Sequence, residues 1–423
     1  MRYLPRVVDR ELDDLLSALP AIAVEGAKGV GKTETASRRA HRVVALDDPA
    51  QLAPVAADMA WLESLKGTVL IDEWQRHPPV WDYVRRRADV GIGPGRYLLT
   101  GSATPLDAAV HSGAGRIVRL RMRPMSLVER GLVPPTVSLE ALLSGDRPRV
   151  GGDSPLGLQD YVEEILASGF PGIRAFTGRA RRLQLSGYLE RLVDRDFPEL
   201  GHQVRRPATL RAWMAAYAAA TATTTSYNAL LQAATAGHSE KPAKTTTIAY
   251  RDTLEHLWLL DPVPGWAPGY GHLGRLGQAP KHHLADPALA ATLLGVDAGR
   301  LLTGVEAGPP VPRDGTLLGG LFESLVTLSV RVYAQPLEAQ VSHLRLRDGR
   351  HEVDLIVERP DGAVVAVEVK LGSVIEDDDV KHLHWLADKL GDRLLDSVVV
   401  STGPTAYRRA DGIAVVPAAL LSP

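Results

Sequence analysis

The chain has 423 residues, 45% hydrophobic and 23% charged, with a formal net charge of −2. That length fits roughly two or three domains of ordinary globular composition, and the near-neutral balance gives no global sign of a nucleic-acid partner. Cysteine is absent, which excludes disulfides, thiolate-ligated zinc and thiol catalysis and accords with a reducing cytoplasm.

The first residues, Met1-Arg2-Tyr3-Leu4-Pro5-Arg6, lack the apolar core of a signal peptide. The uncharged run between Arg211 and His238 is rich in Ala and Thr and carries Asn228 and Gln232. It reads as two helices of a soluble protein rather than a membrane span. The expectation is a cytoplasmic protein with no membrane part.

Leu12, Leu15, Leu16 and Leu19 recur at helical spacing, predicting a helix over 10–19 that leads into an apolar strand at 21–24. Residues 26–33, Gly-Ala-Lys-Gly-Val-Gly-Lys-Thr, then read G-x-x-x-x-G-K-T. Strand, glycine-rich loop and helix start are the context of a phosphate-binding loop. Gly26, Gly29 and Gly31 let backbone N–H groups converge on a polyphosphate, with the helix over 34–40 pointing its positive end at it. Lys32 would reach the β- and γ-phosphates of ATP, and the Thr33 hydroxyl would join a Mg²⁺ shell.

A second strand over 42–46 stops at Asp47-Asp48-Pro49. The run 68–73 is apolar until it ends in Asp72 and Glu73. In a parallel sheet buried on both faces, chemistry gathers at such strand ends. Asp72 would hold Mg²⁺, and Glu73 would polarise the attacking water. A further strand over 96–102 brings Ser102, or Thr104 beyond it, to the γ-phosphate. A fifth, over 115–120, starts near Arg116, either an arginine finger for a neighbouring subunit or the partner of a local acid. Alternating strands and helices give a doubly wound α/β domain over 1–145.

Residues 145–155, rich in Gly, Pro, Asp and Arg, read as a linker. Helices over 158–167 and 179–196 form a lid within 156–204. From it Arg191 or Arg195 would contact phosphate, or pair with Glu190 and Asp194. Over 205–285, helices at 210–220, after the N-cap Ser226, and from 245 or 246 onward precede a turn at 261–266. Three helices and a hairpin make a winged helix. In that geometry Thr246, Thr247 and Arg251 would face the major groove of DNA and Lys241 and Lys244 the phosphates. The same fold also serves as a scaffold or protein contact. Lys281-His282-His283 read as strand residues, since no third metal ligand lies near the histidines.

Over 313–423 the order is a helix at 317–332, strands at 340–347, 351–357 and 363–370, a helix at 380–390 and a strand at 397–400. Glu368 and Lys370 lie two apart and share one face of a strand, with Asp354 on its neighbour. Asp354 and Glu368, aided by Glu323, would hold one or two Mg²⁺ ions, and Lys370 would position water against a phosphodiester.

Taken together, 26–33, 70–73, 98–102 and 115–117 resemble the AAA-type domain of predicted bacterial and archaeal ATPases. These join that domain to a C-terminal one of formerly unknown function, related to PD-(D/E)XK nucleases. Ser168-Gly169-Phe170-Pro171, Tyr188-Leu189-Glu190 with Arg195-Asp196, and 319–326 with Phe322-Glu323 extend the resemblance over essentially the whole chain. The resemblance implies an ATPase coupled to DNA or to a partner protein. Where active nucleases of that superfamily often carry a glutamine, the last helix offers Lys381, His382 and His384.

Two functions follow. One is an ATP-hydrolysing, DNA-acting homo-oligomer that cleaves phosphodiester bonds, with nucleotide at the subunit interface. The other is a regulatory or toxin/defence-associated ATPase whose winged-helix and nuclease-like domains bind a partner without cutting.

Overall fold

Five apolar runs near the N-terminus become the strands β1 (Ala21–Glu25), β2 (Arg42–Ala45), β3 (Val69–Asp72), β4 (Tyr97–Gly101) and β5 (Val118–Arg121). The computed structural model describes residues 3–102, 115–200, 206–236, 244–267, 278–304, 308–309, 311, 315–346 and 350–423. Thr104 and Lys241, singled out in the sequence, lie outside these, as does the side chain of Lys244. The five strands form a parallel sheet in the order β2-β3-β4-β1-β5. Alternate residues part to opposite faces. Ile22, Val24, Leu70 and Leu98 join the main core, while Ala23, Ile71 and Leu99 join a second core around Trp74 and Trp81. The helix after the glycine loop, Lys32–Ser37, starts earlier than the spacing predicts. Gly31, at φ 103°, turns the chain straight into Lys32.

The middle of the chain is helical. Leu158–Ala167 and Gly178–Arg191 lead into one turn of π-helix, Leu192–Asp196. Pro207–Ala219, Tyr227–Ala234 and Lys244–His256 follow, the second capped by Ser226, whose Oγ accepts the Ala229 N–H at 3.2 Å. Antiparallel bridges Leu260↔Leu284 and Val263↔Lys281 come next. Thr247 is buried on the inner face of its helix, and Arg251 is paired with Asp252 at 2.7 Å. The major-groove role read for Thr247 therefore fails on helical phase.

The C-terminal sheet joins β8 (Gln340–Arg345), β9 (Glu352–Glu358), β10 (Val364–Lys370), β11 (Leu394–Ser401), β12 (Thr405–Arg408) and β13 (Ala414–Pro417) to a short early strand, β7 (Gly152–Asp153). The segment read as a linker thus contributes an edge strand, β7 pairing with β12. A parallel pair between β6 (Val137–Ser138) and β14 (Leu421–Ser422) ties the chain's end to the same region. The helix Leu317–Ala334 runs behind the sheet as a spine. By length and composition 317–337 would suffice to cross a membrane, but 78% of that window is buried inside the protein. Its Ser329 and Tyr333 hydroxyls accept the N–H groups of Leu127 and Val128, each at 3.1 Å, joining it to the N-terminal part.

One buried carboxylate fastens these parts. Asp261 pairs with Arg121 at 3.0 Å, Arg123 at 2.8 Å and Arg331 of the spine at 2.8 Å. Burial alone would raise its carboxyl, but the three guanidinium groups hold it well below the usual range. Asp261→Asn strands these arginines together, and loss of one partner of a buried pair costs about 3–5 kcal/mol. A lowered pKa contributes stability that is present at neutral pH and begins to fade only below about pH 4 as the unfolded chain takes up protons. Denaturant unfolding is expected to show the variant far less stable at neutral pH, with the difference shrinking on acidification.

Candidate functional site

The phosphate loop closes because its glycines permit it. Gly26 has φ 155°, and a Cβ there would lie 2.1 Å from the Met122 carbonyl oxygen. Arg6 braces the loop from below. It donates to Val30 O at 2.8 Å and to Arg123 O at 2.7 Å, and it pairs with buried Glu129 at 3.1 Å. Sequence reasoning missed Arg6, whose partners lie more than twenty residues away.

Lys32 is buried and donates to Gly26 O at 2.8 Å and Ala27 O at 3.0 Å. The Thr33 hydroxyl donates to Asp72 Oδ1 at 2.8 Å, and Thr100 donates to the same oxygen. Parallel register explains this meeting, since β3 and β1 both flank β4, with Asp72 and Val24 level with Thr100. Glu73 follows in the left-handed region at φ 53° and accepts from Gln75. A non-glycine residue held there costs about 1–3 kcal/mol, strain of the kind that collects at functional sites. Burial raises the Glu73 carboxyl, opposed by Lys32. A hydroxyl and a carboxylate in direct contact beside a lysine-bearing glycine loop fit a Mg²⁺–nucleotide.

The helical segment covers this loop. Tyr188 donates to Lys28 O at 3.2 Å, and Asp196, in the π-turn, pairs with Lys28 at 3.5 Å. Only about 100 Å³ remains between Lys28, Glu73, Ser102, Tyr188 and Asp196. That is less than the roughly 300–1,000 Å³ of ordinary ligand pockets. Arg195 is paired with Glu199 at 2.9 Å rather than aimed at the loop.

Arg116 precedes β5, at the opposite end of the sheet from Gly26, because β1 and β5 run parallel. It pairs with Asp89 at 2.6 Å. From there it cannot reach the nucleotide site of its own chain.

The C-terminal candidates also converge, but around a cation the sequence did not suggest. Lys281, 1% exposed, lies 2.8 Å from Glu323, 3.1 Å from Glu352 and 2.9 Å from Asp354. The β9–β10 ladder ends at Val367↔Leu355. Beyond it Asp354 Oδ2 accepts the Val369 N–H at 2.9 Å, and Glu368 accepts the Asp354 N–H at 3.3 Å. Burial and the Asp354 carboxylate push the Glu368 carboxyl well above the usual range. Asp354, despite its burial, is held well below it by Lys281. Among the described residues no group of three His, Cys, Asp or Glu side chains is arranged to hold a metal ion. Of the residues read as metal ligands, Glu323 and Asp354 meet the Lys281 ammonium directly, and Glu368 adjoins the cluster through the Asp354 N–H. Lys370 stands at the rim, 4.0 Å from Asp379. A cavity of about 640 Å³ opens over the cluster, its wall including Thr223, Thr225, Arg345, Lys370 and His382.

Three stretches of the chain match known family models. Residues 19–130 match the family model described as an AAA domain. The N-terminal part is thus similar to AAA domains. Residues 158–300 and 318–421 match two domains of unknown function, DUF8612 and DUF4143. Uncharacterized proteins of Mycobacterium tuberculosis and Mycobacterium bovis are 27% identical over 291 residues, 67% of this chain and 58% of theirs. The match thus spans little more than half the length of these relatives. Among solved structures, a Walker-type ATPase of Pyrococcus abyssi aligns with 67% of this chain and 94% of its own, at 16% identity and TM-score 0.40. The Aeropyrum pernix ORC2 protein, solved with ADPNP and ADP, aligns with 77% and 97%, at 14% identity and TM-score 0.32.

Burial lowers the Lys32 pKa to about 8, although Glu73 and Asp72 pull the other way. A polyphosphate favours the charged ammonium, so binding is expected to take up a proton and to weaken as pH rises through about 8. Calorimetric titration of ATP in buffers of different ionisation enthalpy should report this uptake. Lys32→Arg, charged throughout, should abolish the uptake.

Proposed function

We propose that this protein is a Mg²⁺-dependent ATPase of the AAA type that works as a nucleotide-driven switch. The reading is carried by one observation: Lys32, Thr33, Asp72 and Glu73 converge at the ends of β1 and β3. Lys32 would leave the Gly26 and Ala27 carbonyls to bind the terminal phosphates, alongside the N–H groups of the glycine loop. Thr33 and Asp72 would hold Mg²⁺, which when bound neutralises phosphate charge. Glu73, fixed by its backbone and by Gln75, would orient water and accept its proton. Ser102 borders the same cavity and would contact the γ-phosphate. The segment 188–199 would close by exchanging its Lys28 contacts for contacts with nucleotide. Arg116 would act, if on any nucleotide, on that of a neighbouring subunit in a homo-oligomer.

For the C-terminal domain the arrangement favours a binding module over a nuclease, since Lys281 sits among the acids that cleavage would need for metal. The partner is then DNA or a protein that responds to the nucleotide state.

Phosphate release in the presence of Mg²⁺ tests the first half. Lys32→Ala should abolish nucleotide binding. Glu73→Gln should keep binding and lose hydrolysis by a factor of about 10²–10⁴. Hydrolysis unaffected by Glu73→Gln would remove the assigned base. Incubation of single-stranded, duplex and branched DNA with Mg²⁺ or Mn²⁺ tests the second, with no cleavage expected. Cleavage that disappears in Lys370→Ala would restore the nuclease reading.

A further inference from the structure

We propose that the Lys281 ammonium is a resident cation that takes the place of a divalent metal in the C-terminal acidic site, closing that site to Mg²⁺ and Mn²⁺. An ammonium carries three protons; here Glu323 and Asp354 accept from it and Glu352 pairs with it. Glu323 comes from the spine helix, and Glu352 and Asp354 come from β9; all three lie within 3.1 Å of Nζ. The lysine is not a surface side chain that has folded in, since it is 1% exposed. Its backbone is pinned in both directions, Lys281 N to Val263 O and Val263 N to Lys281 O, each at 2.9 Å.

Part of the remaining capacity of the cluster is also committed. Asp354 spends its second oxygen on the Val369 N–H, and Glu368 accepts the Asp354 N–H. A hard divalent cation takes six or more oxygen ligands, commonly with several waters among them. It would have to displace the ammonium or sit beside it against like-charge repulsion. The lysine is supplied by the middle segment and the acids by the C-terminal domain, so the site is completed across the boundary between the two matched regions. The hairpin that delivers it is held by Asp261, whose N–H bonds His283 O at 2.9 Å.

The test is Mn²⁺ binding followed by electron paramagnetic resonance, without nucleotide, together with thermal unfolding. Wild type is expected to hold no Mn²⁺ that depends on Glu323 or Asp354, and its unfolding temperature should not respond to the ion through this site. Lys281→Met leaves the carboxylates without their cation. It should be destabilised, bind Mn²⁺ and recover stability when the ion is added. Lys281→Met combined with Glu323→Gln should lose that binding. Mn²⁺ bound by wild type and lost in Asp354→Asn would overturn the proposal. So would a folded Lys281→Met that binds no more Mn²⁺ than wild type. Should Lys281→Met not fold, the wild-type and Asp354→Asn comparison decides alone. These outcomes are independent of ATP hydrolysis, so failure here leaves the ATPase reading intact.

Discussion

Asp261 is the charge on which the arrangement of the chain depends. Three arginines from two regions point at one carboxylate, and none of the four could be buried without the others. Arg121 and Arg123 flank Met122, whose carbonyl packs against Gly26 of the phosphate loop. Arg331 belongs to the spine helix beneath the C-terminal sheet. Asp261 itself opens the hairpin that carries Lys281 into the acidic cluster. A short path of direct contacts thus runs from the nucleotide loop to the second site.

The two sites differ in what they still need. At the first, a hydroxyl, a carboxylate, a lysine and a strained glutamate converge, and the covering segment narrows the space beside them. At the second the acids already have their cation. The larger cavity lies over this second site, so cavity size and the family-matched chemistry point to different ends of the molecule. On the function proposed above, the first is the site of reaction and the second a place where something docks.

The elements of the AAA domain were legible because their signals are local. An apolar run followed by G-x-x-x-x-G-K-T, or ending in Asp72-Glu73, carries its meaning within ten residues. The C-terminal helix and strands were legible for the same reason, through alternation and helical spacing. What sequence could not show are the long-range charge partners. Arg6 with Glu129, Asp261 with its arginines and Lys281 with its acids are joined by topology alone. Lys281 was passed over beside two histidines that turn out to be buried core residues. Residues 145–155 looked like a linker by composition, and their strand exists only because β12 offers an edge. Thr247 was misplaced because three adjacent threonines hide which face of the helix turns inward.

The most direct measurement is amide hydrogen exchange on the Glu73→Gln protein with and without Mg²⁺–ATP. If the glycine loop and its covering segment are the nucleotide site, exchange slows together in 26–33 and 188–199. Unchanged exchange in 26–33, or slowing there without any in 188–199, would contradict the account.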